Sequence, residues 1–142
     1  MIREGEDIAV LSIGHPGNFV VAATARLAEK GLSVMHYDMR FANPLDEEVL
    51  HKVMKRFSKI ITVEDGVIKG GFGSAVLEFA ADHGYTPAIH RMGIPDYFVE
   101  HGTQQELWHE CGYDAEGIQI TIEKACGIEQ RAQGSERRAQ IL

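Results

Sequence analysis

Short apolar runs alternate with stretches of helical spacing over most of the chain. Ile8 to Ile13, IAVLSI, is continuously apolar but for Ser12 and ends at Gly14. A strand buried on both faces of a parallel sheet reads this way. His15-Pro16-Gly17-Asn18 is turn chemistry, with Asn18 as the expected N-cap of a helix from Phe19 to Lys30. Val20, Ala23, Leu27 and Ala28 fall near helical spacing, Thr24 shares their face, and Gly31 stops the helix. Leu32 to Tyr37 predicts a second strand. A loop closed by Pro44 leads to a helix from Glu47 to Arg56. Acids stand in its first turn and Lys55 and Arg56 in its last, as the helix dipole prefers.

Lys59 to Val63 predicts the third strand, and Phe72 to about His83 the third helix. Pro87 to Arg91 predicts the fourth strand, broken by Gly93-Ile94-Pro95-Asp96. Tyr97 to His101 suits a short edge strand. Thr103 and Glu106 form a capping box for a helix from Gln104 to Cys111. Asp114 caps a last helix, Ala115 to Cys126. The order implies an α/β fold of three layers, a mostly parallel sheet of about five strands with helices on both faces. The expected domain is residues 1–127. Residues 128–142 are polar with little apolar periodicity and read as a flexible tail.

Composition narrows the function. The 142 residues are 44% hydrophobic and 25% charged, the balance of a soluble domain with its own core. The net charge of −7 argues against nucleic acid and against an anionic membrane surface. No apolar stretch is long enough for a signal peptide or a membrane span, so a cytoplasmic location is expected. Cys111 and Cys126 are too far apart for a CxxC motif and read as reduced, partly buried thiols.

Ligands of such sheets bind outside the carboxyl ends of the strands. At the first of these ends, Pro16 stands where a dinucleotide fingerprint wants glycine, although Asp38 is well placed for a ribose hydroxyl. Gly70, Gly71, Gly73 and Ser74 open a helix but form neither a Walker loop nor GxGxxG. Two uses remain open for them: close packing of the helix against the sheet or a partner, or an anion held at the helix start. Glu64 and Asp65 end the third strand. As neighbours on a strand they point in opposite directions and do not share a proton as a dyad would. Capping and charge compensation at the glycine-rich helix start is the alternative. No HExxH motif or histidine–carboxylate cluster suggests a metal, and no Gly-x-Ser-x-Gly elbow surrounds Ser74.

Three segments carry a resemblance: ITVEDGVIKGGFGSAVLEFA, DMRFANPLD and GIPDYFVEHGTQQELWHECGYDAEGI. Together they resemble the C-terminal domain of the 1-deoxy-D-xylulose-5-phosphate synthase family, within the thiamine-diphosphate-dependent transketolase-type enzymes. The first segment is shared across that superfamily; IPDYFVEHGTQQEL is more specific. The resemblance runs from about Glu4 to Gly127 and implies a fragment whose N-terminal and middle domains are missing. Those domains would hold thiamine diphosphate and Mg²⁺ and supply the catalytic glutamate. The fragment would carry no cofactor, metal or catalytic residue and would serve assembly in a homodimer. On this reading Glu64, Asp65, Gly70, Gly71, Gly73 and Ser74 are interface or anion-binding candidates, and Asp96 and His101 belong to a loop facing another domain. The parent reaction would join pyruvate and glyceraldehyde 3-phosphate with loss of CO₂. The alternatives are the same domain of a transketolase or a 2-oxo acid dehydrogenase β subunit, or a free-standing anion-binding module.

Overall fold

The computed structural model describes residues 1–40, 44–68, 70–94, 109 and 111–128. Four strands and four helices lie among them: β1 (Ile8–Ile13), α1 (Gly17–Glu29), β2 (Val34–Asp38), α2 (Glu47–Arg56), β3 (Lys59–Val67), α3 (Phe72–Asp82), β4 (Ala88–Ile94) and α4 (Ala115–Ala125). The strands are parallel and stand in the order β2-β1-β3-β4.

Alternate residues of the strands feed two cores. Ile8, Val10, Ile61 and Val63 pack with Val20, Ala23 and Leu27 of α1 and with Ile118 and Ile122 of α4. Ala9, Leu11 and Ile60 face the other way, onto Leu50, Val53 and Met54 of α2 and Phe72, Val76 and Phe79 of α3. The result is the expected three-layer α/β sandwich.

Local chemistry sets several element ends. The Asp46 carboxylate accepts from the Val49 amide at 3.2 Å, and Asp114 accepts from the Gly117 amide at 2.9 Å. Both are side-chain caps on the first turn. Asn18 is not a cap: α1 starts at Gly17, after Pro16, with no side-chain cap. Pro16 holds φ at −58°, already helical, so the ring itself sets the entry.

Two strands outrun their expected ends. β3 continues through Glu64 and Asp65 to Val67, and β4 through Gly93 to Ile94. The ladder shifts register between Val63 and Val67 and then closes again with Val67 beside Ile94. A Cβ on Gly93 would lie 2.9 Å from the Gly66 carbonyl oxygen and 3.0 Å from Glu64 Cγ. Gly93 therefore permits a close approach at the irregularity rather than breaking the strand.

A fifth extended piece comes from the N-terminus. Arg3 pairs antiparallel with His36 on the outer side of β2, through His36 N–H to Arg3 O at 2.9 Å and Arg3 N–H to His36 O at 3.1 Å. Arg56 donates to Gly5 O at 2.8 Å and pins this strap to α2. The strand expected at Tyr97 to His101, the capping box at Thr103 and Glu106, and the tail beyond Ile128 lie outside the described residues.

Candidate functional site

From the middle of each strand to its carboxyl end, β1 and β3 carry the buried polar residues Ser12, Thr62 and Glu64. Glu64 is the centre of this region. Its alternation in β3 places it on the same face as Thr62, toward α3, and it is 4% exposed. One carboxylate oxygen accepts from Phe72 N–H at 3.0 Å and the other from Gly73 N–H at 2.7 Å. A buried anion thus sits on the first amides of α3, where the unpaired N–H groups and the dipole favour it. Burial raises the Glu64 pKa above its ordinary value, while the two amides and Arg91 oppose the rise.

Other bonds hold the remainder of the glycine run. Gly70 N–H donates to Ser74 Oγ at 3.2 Å, and Gly71 N–H to Ile68 O at 3.3 Å. Ser74 Oγ–H donates to Ile68 O at 3.0 Å, and Arg91 donates to Ser74 Oγ at 2.9 Å. Every amide from Gly70 to Gly73 therefore already has an acceptor within the chain. Gly73 allows α3 to lie close to the sheet, since a Cβ there would stand 2.6 Å from Thr62 Oγ1 and 2.9 Å from Arg91 Cγ. Thr62 Oγ1 is buried beneath it without a hydrogen-bond partner.

Asp65 points the other way. It is exposed and accepts from the Tyr113 hydroxyl at 3.1 Å, tying the end of β3 to the residue before the α4 cap. The structure thus places Glu64, Gly70, Gly71, Gly73 and Ser74 in one constellation and Asp65 outside it. Asp96 and His101 lie outside the described residues. An open cleft of about 880 Å³ separates the starts of α2 and α3, lined by Pro44, Leu45, Asp46 and Glu47 on one side and Gly70, Gly71, Phe72 and Ala75 on the other.

A second buried polar pair was not singled out from the sequence. Ser12 Oγ and His36 Nε2 are 2.7 Å apart beneath α1, and His36 is 1% exposed. Its Nδ1 has no partner. Burial lowers its pKa from 6.5 to about 4, against the opposing charge of Asp38. With Nδ1 bare, Nε2–H is the donor to Ser12, because a lone pair without a donor costs less than a buried N–H without an acceptor. The available signal was a polar residue on the inward face of each of two adjacent strands.

The two cysteines flank α4. A helix of 11 residues is roughly 16 Å long, whereas disulfide-bonded Cα atoms lie within about 7 Å. Cys111 and Cys126 are accordingly not bonded to each other. Burial raises the Cys126 thiol pKa, which leaves it a poor nucleophile. Among the described residues, no group of three or more His, Cys, Asp or Glu is placed to hold a metal ion. No described helix is long and apolar enough to cross a membrane.

The family model described as "Transketolase, C-terminal domain" matches residues 1–118. The chain is similar to the 1-deoxy-D-xylulose-5-phosphate synthase of Cytophaga hutchinsonii, with 56% identity over 127 residues. That match covers 89% of this chain and 20% of the relative. A synthase of the same name from Parabacteroides distasonis is 56% identical over 123 residues, covering 87% of this chain and 20% of its own. The chain spans about a fifth of the length of these curated relatives. Among solved structures, one described as "Split gene transketolase, inactive beta4 tetramer" is similar with a TM-score of 0.80 and 26% identity. It covers 90% of this chain and 42% of its own. Transketolase from Campylobacter jejuni is similar in fold alone, with a TM-score of 0.56, 15% identity and coverage of 85% and 17%.

Proposed function

Because the chain belongs to the transketolase C-terminal domain family, we infer that it is the C-terminal domain of a 1-deoxy-D-xylulose-5-phosphate synthase and that its work is assembly rather than chemistry. The carrying observation is 56% identity over 127 residues to proteins of that name, of which it matches only a fifth. The parent enzyme would join pyruvate to glyceraldehyde 3-phosphate and release CO₂, as a cytoplasmic homodimer. The assembly unit is residues 1–127.

Thiamine diphosphate supplies the carbanion chemistry of such enzymes when bound. The described residues of this chain do not fit it. The α3 start that could receive a diphosphate is filled by Glu64, and among the described residues there is no ligand set for its metal. The same occupancy speaks against a free-standing phosphate-binding module. What remains is a shaped surface. The Glu64 cap and the Arg91–Ser74 bond fix the start of α3, and the Tyr113–Asp65 bond fixes the approach to α4. Both lie at the end of the sheet where the loops emerge. The split-gene relative described as an inactive β4 tetramer supports an inactive chain that associates without its missing part.

Reconstitution tests this reading. A relative's synthase shortened by its last fifth is inactive alone and regains turnover when co-expressed with this chain. The chain alone neither binds thiamine diphosphate with Mg²⁺ nor releases CO₂ from pyruvate. Full activity of the shortened synthase would refute the assembly role. Rescue of a shortened transketolase instead would reassign the parent.

A further inference from the structure

The end of the sheet away from the carboxyl-terminal loops carries a different surface. β4 is an edge strand, pairing among the described residues only with β3. Its first half is uncovered, with Ala88 and His90 exposed and Ile89 partly so. Between this half-strand and the last turn of α4 runs a groove of about 580 Å³. Ile61 and Ala125 give it an apolar floor, while Ile89, paired with Ile60, turns to the opposite face of the sheet. His90 and Lys124 stand exposed around it and Lys59 partly so. Among the described residues no carboxylate lines it, although the chain as a whole carries −7.

We propose that the β4 edge and this groove form a docking site for an acidic, extended peptide segment of a partner protein. The segment adds to β4 as a further strand, sets its carboxylates on the α4 face against Lys59 and Lys124, and sends its alternate, apolar side chains to the opposite face beside Ile89. An edge strand offers unpaired N–H and C=O groups as a template for main-chain pairing. Alternation along the incoming strand sends one set of side chains toward the groove and the next away from it. Charge selects the occupant. A two-fold pairing of β4 with its own copy would bring two sets of Lys59, His90 and Lys124 together, and like charges across an interface exclude that partner.

The probe is a fluorescein-labelled Glu-Val-Glu-Val-Glu peptide titrated into the full 142-residue chain by anisotropy, with hydrogen exchange read at Ile89, whose amide points to the open edge because that of Ala88 already donates to Ser58 O. The acidic peptide binds, exchange at the Ile89 amide slows, and a Lys-Val-Lys-Val-Lys peptide does not bind. Lys59→Glu with Lys124→Glu weakens binding by about tenfold or more, while circular dichroism verifies the fold. Equal binding to the double variant, equal binding of the lysine peptide, unchanged exchange or no binding at all would each overturn the proposal. If the double variant does not fold, the wild-type salt series decides: binding that fails to weaken from about 50 to about 300 mM salt overturns it. None of these readouts involves catalysis, so the outcome is separable from the assignment of the parent enzyme.

Discussion

Acidification destabilises this domain through His36. The ring is buried, its Nδ1 has no acceptor, and its pKa lies at about 4 against 6.5 in the unfolded chain. Between these two values the unfolded state binds more protons, so stability rises with pH across the window and is lost as pH falls through it. One pKa unit corresponds to about 1.4 kcal/mol. The loss is therefore about 2 kcal/mol between pH 7 and pH 5 and approaches about 3 kcal/mol below pH 4. Urea unfolding at pH 7 and pH 5 measures it, with His36→Gln as the comparison. The amide of Gln can keep a bond to Ser12 and does not titrate. The parent loses about 2 kcal/mol more than the variant on going to pH 5. An equal loss in both, or the His36 ring itself titrating near 6.5 by NMR, would refute the argument that burial keeps this ring neutral.

Glu64→Ala leaves two buried amides at the start of α3 without acceptors and costs about 1–3 kcal/mol, measured by urea unfolding at pH 7. The Glu64 pKa is raised on folding, so its sign is opposite to that of His36. Its contribution is fully present below 4.5 and is lost as pH rises through the folded value. The advantage of the parent over Glu64→Gln therefore shrinks as pH rises through that window and is constant above it. Gly73→Ala pushes a methyl into Thr62 and the Arg91 stem and costs about 1–3 kcal/mol in the thermal or urea midpoint. Gly5→Ala drives a Cβ into the backbone of Val34 and Met35 and lifts the strap from β2. Hydrogen exchange at the His36 amide, which donates to Arg3 O, becomes faster, whereas exchange in β1 is unchanged.

Local rules reach as far as local bonds. The cap at Asp114 acts over three residues, and the spacing that predicts it is the spacing that makes it; Asp46, read only as an acid of the first turn, caps α2 over the same distance. Continuous apolar runs likewise marked strands buried under helices on both sides. The Glu64-Asp65-Gly66 stretch looks like a turn because its composition is that of a turn. It remains in β3 because Val67 and Ile68 find Ile94 across the irregularity. The partners of Glu64 lie eight and nine residues on, beyond the reach of a capping motif, so charge compensation at the helix start was readable but the two amides were not. Ser12 and His36 are 24 residues apart and meet only through the β1–β2 register. The place beside β2 goes to residues at the N-terminus, whose polar sequence carries no strand pattern. Gly5 and Arg56 hold them there through contacts between distant parts of the chain.

The N-terminal strap has a consequence for how copies of this domain can multiply. With Arg3 laid against His36, the β2 side offers no continuous ladder to a newcomer, and among the described residues only the β4 side is open. A sheet with two open borders can add neighbours without end and grow into a filament. A sheet with one open border can accept a single neighbour and then stops. The strap ahead of β1 thus acts as a chain terminator on one border, while the basic groups along β4 turn a second copy away from the other.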